Sequence, residues 1–405
     1  MTKLSRRTVL SAAGIIATAR SALAAPALGR GLPDVAVVGA GAFGAWTALC
    51  LREKGAKVTL LDAFGPGNAR QTSGDETRQI RAAYGPDEIY SRWAQRAFRL
   101  WGEREAEFGR GMIYANGVLS PNEPKVALEQ ERIIFEKLKI AYEVLSQAEL
   151  KARWPQARFD DVEYALFEPE AGTVKARESI IAVSEVLQKK GGAVRIGAAR
   201  PGNASGGRLL DIDLGGDRLA AGAFLFACGP WLPKLFPGQL DGYIALRRSE
   251  VFYVGSPAGD DRFSWRRLPN LWESRVGAYA MSDIDYGYKV VPSFGVPIDP
   301  DTDDRVASAY QLRKVRAYLE RRIPGLVGQP VVASRVCALE NSNNHHFIID
   351  THPEFANAWI AGAGSGHAFK MGPMLGDYVS ERMLGRNDDP EAARLFALST
   401  HAKTA

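Results

Sequence analysis

The sequence predicts a mixed architecture, α/β plus α+β, on three observations. Near the N-terminus an apolar strand runs directly into a glycine turn and a helix. A second strand–helix unit closes the chain around Ala358 to Leu384, and strand-rich sequence fills part of the interval between them. Composition allows this, because 405 residues with 46% hydrophobic and 24% charged content make an ordinary globular chain with room for a sizeable core.

The leader comes first. Residues 1–24 carry Lys3, Arg6, Arg7 and Arg20 with no acid, an apolar stretch from Thr8 to Ala19, and Ala22-Leu23-Ala24 as a small-residue cleavage pattern. This reads as a signal peptide, too short to span a membrane. Ser5-Arg6-Arg7-Thr8-Val9-Leu10 matches the twin-arginine motif, an address read by the twin-arginine export machinery, and a chance arginine pair in a general export signal is the other reading. The expected location is periplasmic or secreted. These four cations account for most of the formal charge of +5, so the rest of the chain offers no basic stripe for a phosphate backbone. Nucleic acid is therefore not an expected partner. No later run reaches ~18 apolar residues, so no membrane span is expected.

Asp34 to Val38 is the first strand, ending at Gly39-Ala40-Gly41-Ala42-Phe43-Gly44, and Ala45 to Lys54 has helical spacing. Lys57 to Leu61 is a second strand ending in Asp62. Gly39 permits the tight turn, Gly41 lets backbone N–H groups approach a pyrophosphate, and Gly44 lets helix and strand pack closely. Asp62 is placed to bind a ribose hydroxyl. Strand, glycines, helix, strand and acid in this order predict a Rossmann-like dinucleotide site, which FAD and NAD share.

Further on, Asp87 to Phe108 puts Ile89, Trp93, Ala97, Leu100, Trp101 and Phe108 on one helical face, and Ser146 to Glu149 spells a capping box. Thr173 to Lys190 reads as a helix closed by Gly191-Gly192. Ala193 to Ile196, Leu219 to Phe226 and Tyr243 to Val254 read as strands, and Arg305 to Arg322 as a charged helix. The predicted organisation is interleaved: a nucleotide domain from residues 34–90, 167–243 and 336–390, and a sheet-rich substrate domain from 91–166 and 244–335.

Gly74-Asp75-Glu76-Thr77-Arg78-Gln79-Ile80-Arg81-Ala82-Ala83-Tyr84-Gly85 resembles a motif of the monomeric sarcosine oxidase and N-methyltryptophan oxidase family of flavin amine oxidases. Cys337, then His346-Phe347-Ile348-Ile349-Asp350 and Ala363-Gly364-Ser365-Gly366-His367-Ala368-Phe369-Lys370, extend the resemblance in order to about Gly385. The resemblance implies FAD, cradled by Gly39, Gly41, Phe43, Gly44, Asp62, Ser73, Val174, Gly364, Gly366, His367 and Lys370, and joined covalently to Cys337. From residue chemistry alone a buried inert thiol is the simpler reading of Cys337, as it is for Cys50 and Cys228.

The resemblance further implies that Arg81 and Lys370 grip a substrate carboxylate, that Arg78 lies against the flavin ring, and that Lys289 activates oxygen. A guanidinium fork suits a carboxylate because two parallel N–H groups match its two oxygens. Two departures bear on the substrate: no histidine lies between Val290 and Gly295, where the family has one, and Leu339 replaces a tyrosine. A bulkier or more apolar amine than sarcosine is expected. No metal site is expected, since His345, His346 and His352 lack ligand spacing. The resulting expectation is an FAD-dependent oxidase of secondary or N-substituted amino acids yielding an imine and hydrogen peroxide. A dehydrogenase serving a quinone or carrier, and a noncatalytic flavoprotein subunit, are the alternatives.

Overall fold

The computed structural model describes residues 33–292, 295–386 and 389–403; the leader lies outside them. Asp34–Val38 forms the middle of a six-stranded sheet, flanked by Ala223–Phe226 on one side and Lys57–Asp62 on the other. Ala358–Gly362 and then Ile348–Thr351 extend the first side, and Ala193–Ile196 the second. All these neighbours are parallel except Ile348–Thr351 with Ala358–Gly362, which is antiparallel. Both faces of this sheet are covered, one by long helices and the other by Leu209, Ile212, Leu232, Phe236 and Leu240, which is why Val35 to Val38 and Ala223 to Phe226 are apolar runs and not alternating ones.

The helix Ala42–Glu53 buries nearly all its side chains between that sheet and the helix Gly372–Met383. Close approach is built in: a Cβ at Gly376 would stand 2.6 Å from the Trp46 backbone carbonyl. Glu88–Phe108 buries Ile89, Trp93, Ala97, Trp101 and Phe108 as its spacing predicts, while Leu100 is only partly covered.

A second, eight-stranded sheet runs in the order Val331–Ser342, Ile244–Val254, Tyr288–Pro292, Ala278–Met281, Asn270–Glu273, Val118–Pro121, Tyr164–Glu168, Glu143–Ser146. Its longest ladder pairs Ile244–Val254 with Val331–Ser342 and sets Cys337 opposite Ser249. A small sheet joins Thr77–Ile80, Gly172–Lys175 and Ile113–Tyr114.

Three expected boundaries move. Gly172–Lys175 is a strand and the helix begins at Ala176, because the β-branched Thr173 and Val174 are paired to Thr77–Ile80. Leu219 to Phe226 is two strands, Arg218–Ala220 and Ala223–Phe226, broken at Ala221-Gly222. The charged helix starts at Ala309, where the Ser308 hydroxyl accepts from Gln311 N. The Ser146 capping box is present, with Glu149 returning a bond to the Ser146 N–H.

Candidate active site

Gly39 takes φ +100°, and a Cβ there would lie 2.3 Å from the Ala227 carbonyl oxygen. A Cβ on Gly44 would lie 1.8 Å from the Gly39 carbonyl oxygen. Both glycines are thus required by packing, and Gly44 itself does not border the open cleft. Asp62 is fixed as an acceptor by Ala40 N at 2.9 Å, Phe64 N at 2.9 Å, Gln71 Nε2 at 2.8 Å and Asn68 Nδ2 at 3.1 Å. The Ser73 hydroxyl accepts from Ala42 N at 3.1 Å, at the start of the glycine-turn helix.

Gly39, Gly41, Phe43, Asp62 and Ser73 border a cleft of about 590 Å³ together with Gly364, Gly366 and His367. A second cavity of about 370 Å³ holds Cys337, Arg81 and Lys370 on its wall. The two share Arg78, Leu339, Gly366, His367 and Phe369 on their walls, so they adjoin. Val174 stands apart. It pairs with Arg78 in the small sheet, is fully buried and does not border the cleft, whose wall residues 197–200 do join.

The second cavity is cationic and aromatic. Lys370 is buried, donates to the Tyr84 hydroxyl at 2.6 Å and the His367 carbonyl at 3.3 Å, and is held well below the usual lysine range by burial and by Arg81. Arg81 donates to the Ala83 carbonyl and lies 4.2 Å from the Trp272 ring centroid and 5.2 Å from that of Tyr84. Two buried acids hold the segment behind it: Glu168 accepts from Ala82 N at 2.6 Å and Glu131 from Gly85 N at 2.6 Å. His367 hydrogen-bonds the His345 carbonyl through Nε2 at 3.0 Å, and burial with Lys370 lowers its imidazole to about 3, so it is neutral.

Lys289 and Arg78 meet at a residue that sequence reasoning passed over. The Asp75 carboxylate accepts from Lys289 Nζ at 2.6 Å, from Tyr253 Oη at 2.7 Å and from the Arg78 guanidinium. Lys289 also donates to the Thr77 carbonyl at 2.7 Å. Asp75 borders the second cavity, whereas Lys289 is buried behind it. The motif contained Asp75, but nothing in its type announces burial. Glu340 was also missed. It borders the cleft, burial pushes its carboxyl up to about 7, one oxygen accepts only Gly364 N at 3.3 Å, and the other has no partner.

Among the described residues no group of three His, Cys, Asp or Glu is placed to hold a metal ion. His346 instead shares a hydrogen bond with Tyr90 Oη at 2.9 Å, and His352 packs on Phe236 and Phe355.

A dinucleotide fits this space. The glycine turn keeps its wall free of side chains, Asp62 stands at the end of the second strand, and the unpartnered Glu340 oxygen is a polar atom without an acceptor or donor in the protein. Residues 34–382 match the family model described as FAD dependent oxidoreductase. A monomeric sarcosine oxidase of Bacillus sp. is 28% identical over 386 residues, covering 87% of this chain and 92% of that one. An N-methyl-L-tryptophan oxidase of Salmonella arizonae is 26% identical over 364 residues, covering 86% and 94%. Among solved structures, the L-proline dehydrogenase from P. horikoshii superposes with a TM-score of 0.80 at 19% identity, covering 90% of this chain and 96% of that chain. With the glycine turn, the acid-ended second strand and a match across most of its length, the chain belongs to the FAD-dependent oxidoreductase family.

Proposed function

We propose that this chain is an exported FAD-dependent oxidase of secondary or N-substituted amino acids, N-methyl or cyclic, which yields an imine and hydrogen peroxide. One observation carries the reading: Arg81 and Lys370 stand together on the wall of an aromatic cavity that adjoins the cofactor cleft. Burying Lys370 beside the half-buried Arg81 is costly, as the depressed Lys370 shows, and an arriving carboxylate relieves that repulsion. The names of the two oxidase relatives support the amine class. Leu339, Trp272, Tyr279 and Phe369 add a broad apolar and aromatic area to the wall, which supports a bulkier amine than sarcosine.

Bound FAD supplies the two-electron oxidation of the carbon beside the amine nitrogen. The chain's own residues orient and enclose. The Arg81 fork and Lys370 would fix the carboxylate end, Trp272, Tyr279 and Phe369 would flank the rest of the amine, and Cys337 is the residue that would tether the cofactor. Burial and then the Asp75 carboxylate push the Cys337 thiol above its ordinary range, and Arg78, Lys289 and Arg305 offset that push only in part.

The test is a panel of N-methyl, cyclic and N-alkyl amino acids, with peroxide and flavin bleaching followed together, and acid precipitation of the purified protein. Stoichiometric peroxide and a yellow pellet are expected, with colour lost from the pellet in Cys337→Ser. Colourless protein after production with ample riboflavin would end the reading. Electron delivery to a quinone or carrier is a second reading, favoured by Lys289 being engaged behind Asp75 and not open to the cavity. Bleaching without peroxide would select it. Export is tested by replacing Arg6 and Arg7 with Lys, which should keep the chain in the cytoplasm.

A further inference from the structure

Two cations, Lys289 and Arg78, are held in the interior by one carboxylate. Lys289 has 1% of its side chain exposed and Asp75 none. The Lys289 ammonium places one N–H on Asp75, one on the Thr77 carbonyl and a longer one, 3.4 Å, on the Thr77 hydroxyl. The other Asp75 oxygen is locked by Tyr253, the residue directly opposite Lys289 in the neighbouring strand. From the remaining sides Lys289 faces Arg78, Cys337 and Tyr279. None of these can take over as counter-ion: Arg78 is a cation, and the Tyr253 and Tyr279 phenols and the Cys337 thiol are all raised by burial and stay neutral.

A buried ammonium beside a guanidinium keeps its proton only while an anion faces it. We propose that Asp75 is the positioning residue for Lys289, keeping the lysine protonated and fixing its Nζ against Thr77, on the Cys337 side of the cavity. The inference rests on the reading that the flavin ring lies beside Cys337, where Lys289 assists the reaction with oxygen. It names what makes that lysine usable, a role that falls to a residue with no contact of its own to the substrate clamp. Without Asp75, the burial and the Arg78 guanidinium that already lower the Lys289 ammonium would act with little to oppose them. Its charge is therefore a property of the pair.

The experiment uses holoenzyme labelled with ¹⁵N-lysine, the Lys289 resonance being assigned by its loss in Lys289→Met. In the parent the resonance should remain that of an ammonium through pH 8. In Asp75→Asn it should be that of a neutral amine at pH 8 and return to the ammonium form as pH falls. In parallel, oxygen reaction of the reduced enzyme at pH 8 should slow at least tenfold in Asp75→Asn, recover at lower pH, and be restored largely by Asp75→Glu. Asp75→Asn/Lys289→Met should be no slower than Lys289→Met alone. An ammonium resonance in Asp75→Asn through pH 8 would overturn the proposal, as would additive effects in the double variant. If Asp75→Asn does not accumulate folded, Asp75→Glu and the parent still decide, since a neutral Lys289 in the parent at pH 7 also overturns it. A Lys289→Met enzyme that reacts with oxygen normally, while the resonance behaves as expected, would instead fault the assigned role of Lys289 and leave the pairing standing.

Discussion

At the scale of single residues, charge placement decides what the cavity accepts. Arg81 and Lys370 come from segments far apart in the chain, one at the end of Thr77–Ile80 and the other in the Gly364-to-Lys370 segment. Losing either should leave the cofactor bound and weaken the grip on a carboxylate. Charge-assisted hydrogen bonds contribute roughly 1.5–3 kcal/mol, so Arg81→Met or Lys370→Met should raise KM by about tenfold to a hundredfold for a carboxylate-bearing amine. The corresponding amine without a carboxylate should show no such change, and equal losses on both would remove the clamp. A second residue-scale prediction concerns Glu131, whose carboxyl burial raises from about 4.5 to about 7. The folded protein therefore holds a proton there that the unfolded chain releases, so this contribution to stability is complete below about pH 4.5 and is lost as pH rises through about 7. Denaturant midpoints at pH 5 and 7.5 should differ less in Glu131→Gln than in the parent. Legibility at this scale was uneven. Arg78, Arg81, Cys337 and Lys370, which a long motif resemblance singles out, all border the second cavity, whereas Asp75 and Glu340 carry no such signal, because an acidic residue type says nothing of whether it is buried or with whom it pairs.

Elements were easier to read where one physical signal governs them. The glycine turn is such a case, since its sequence follows from backbone proximity. Gly44→Ala would drive a methyl group into the Gly39 carbonyl, 1.8 Å away, and overpacking of this kind costs about 1–3 kcal/mol or more. Flavin content of purified Gly44→Ala should fall sharply, and a full complement would show that the turn can shift without losing its ligand. The Ser146 cap is a milder case, and Ser146→Ala should lower stability by about 1 kcal/mol in chemical denaturation without affecting flavin content. The elements misjudged from sequence are those where tertiary pairing overrides local pattern. Thr173 and Val174 continue the apolar spacing of the helix after them, yet the Thr77–Ile80 strand claims their backbone. The Ala221-Gly222 break likewise separates two strands of different sheets inside one apolar run.

Across the whole molecule, the parallel sheet draws its strands from both ends of the chain: Asp34–Val38 lies beside Ala223–Phe226, which in turn pairs with Ala358–Gly362. The broad class was legible because the first and last strand–helix units announce themselves. The path by which the second sheet assembles was not, since the pairing of Ile244–Val254 with Val331–Ser342 depends on partners some ninety positions apart. That arrangement has a consequence for biosynthesis. Trp46 finds its seat only when Gly372 and Gly376 have been made, and the cleft wall is incomplete without Gly364 to Phe369. A nascent polypeptide halted before those codons should therefore capture no flavin, and loading must wait until translation is almost finished.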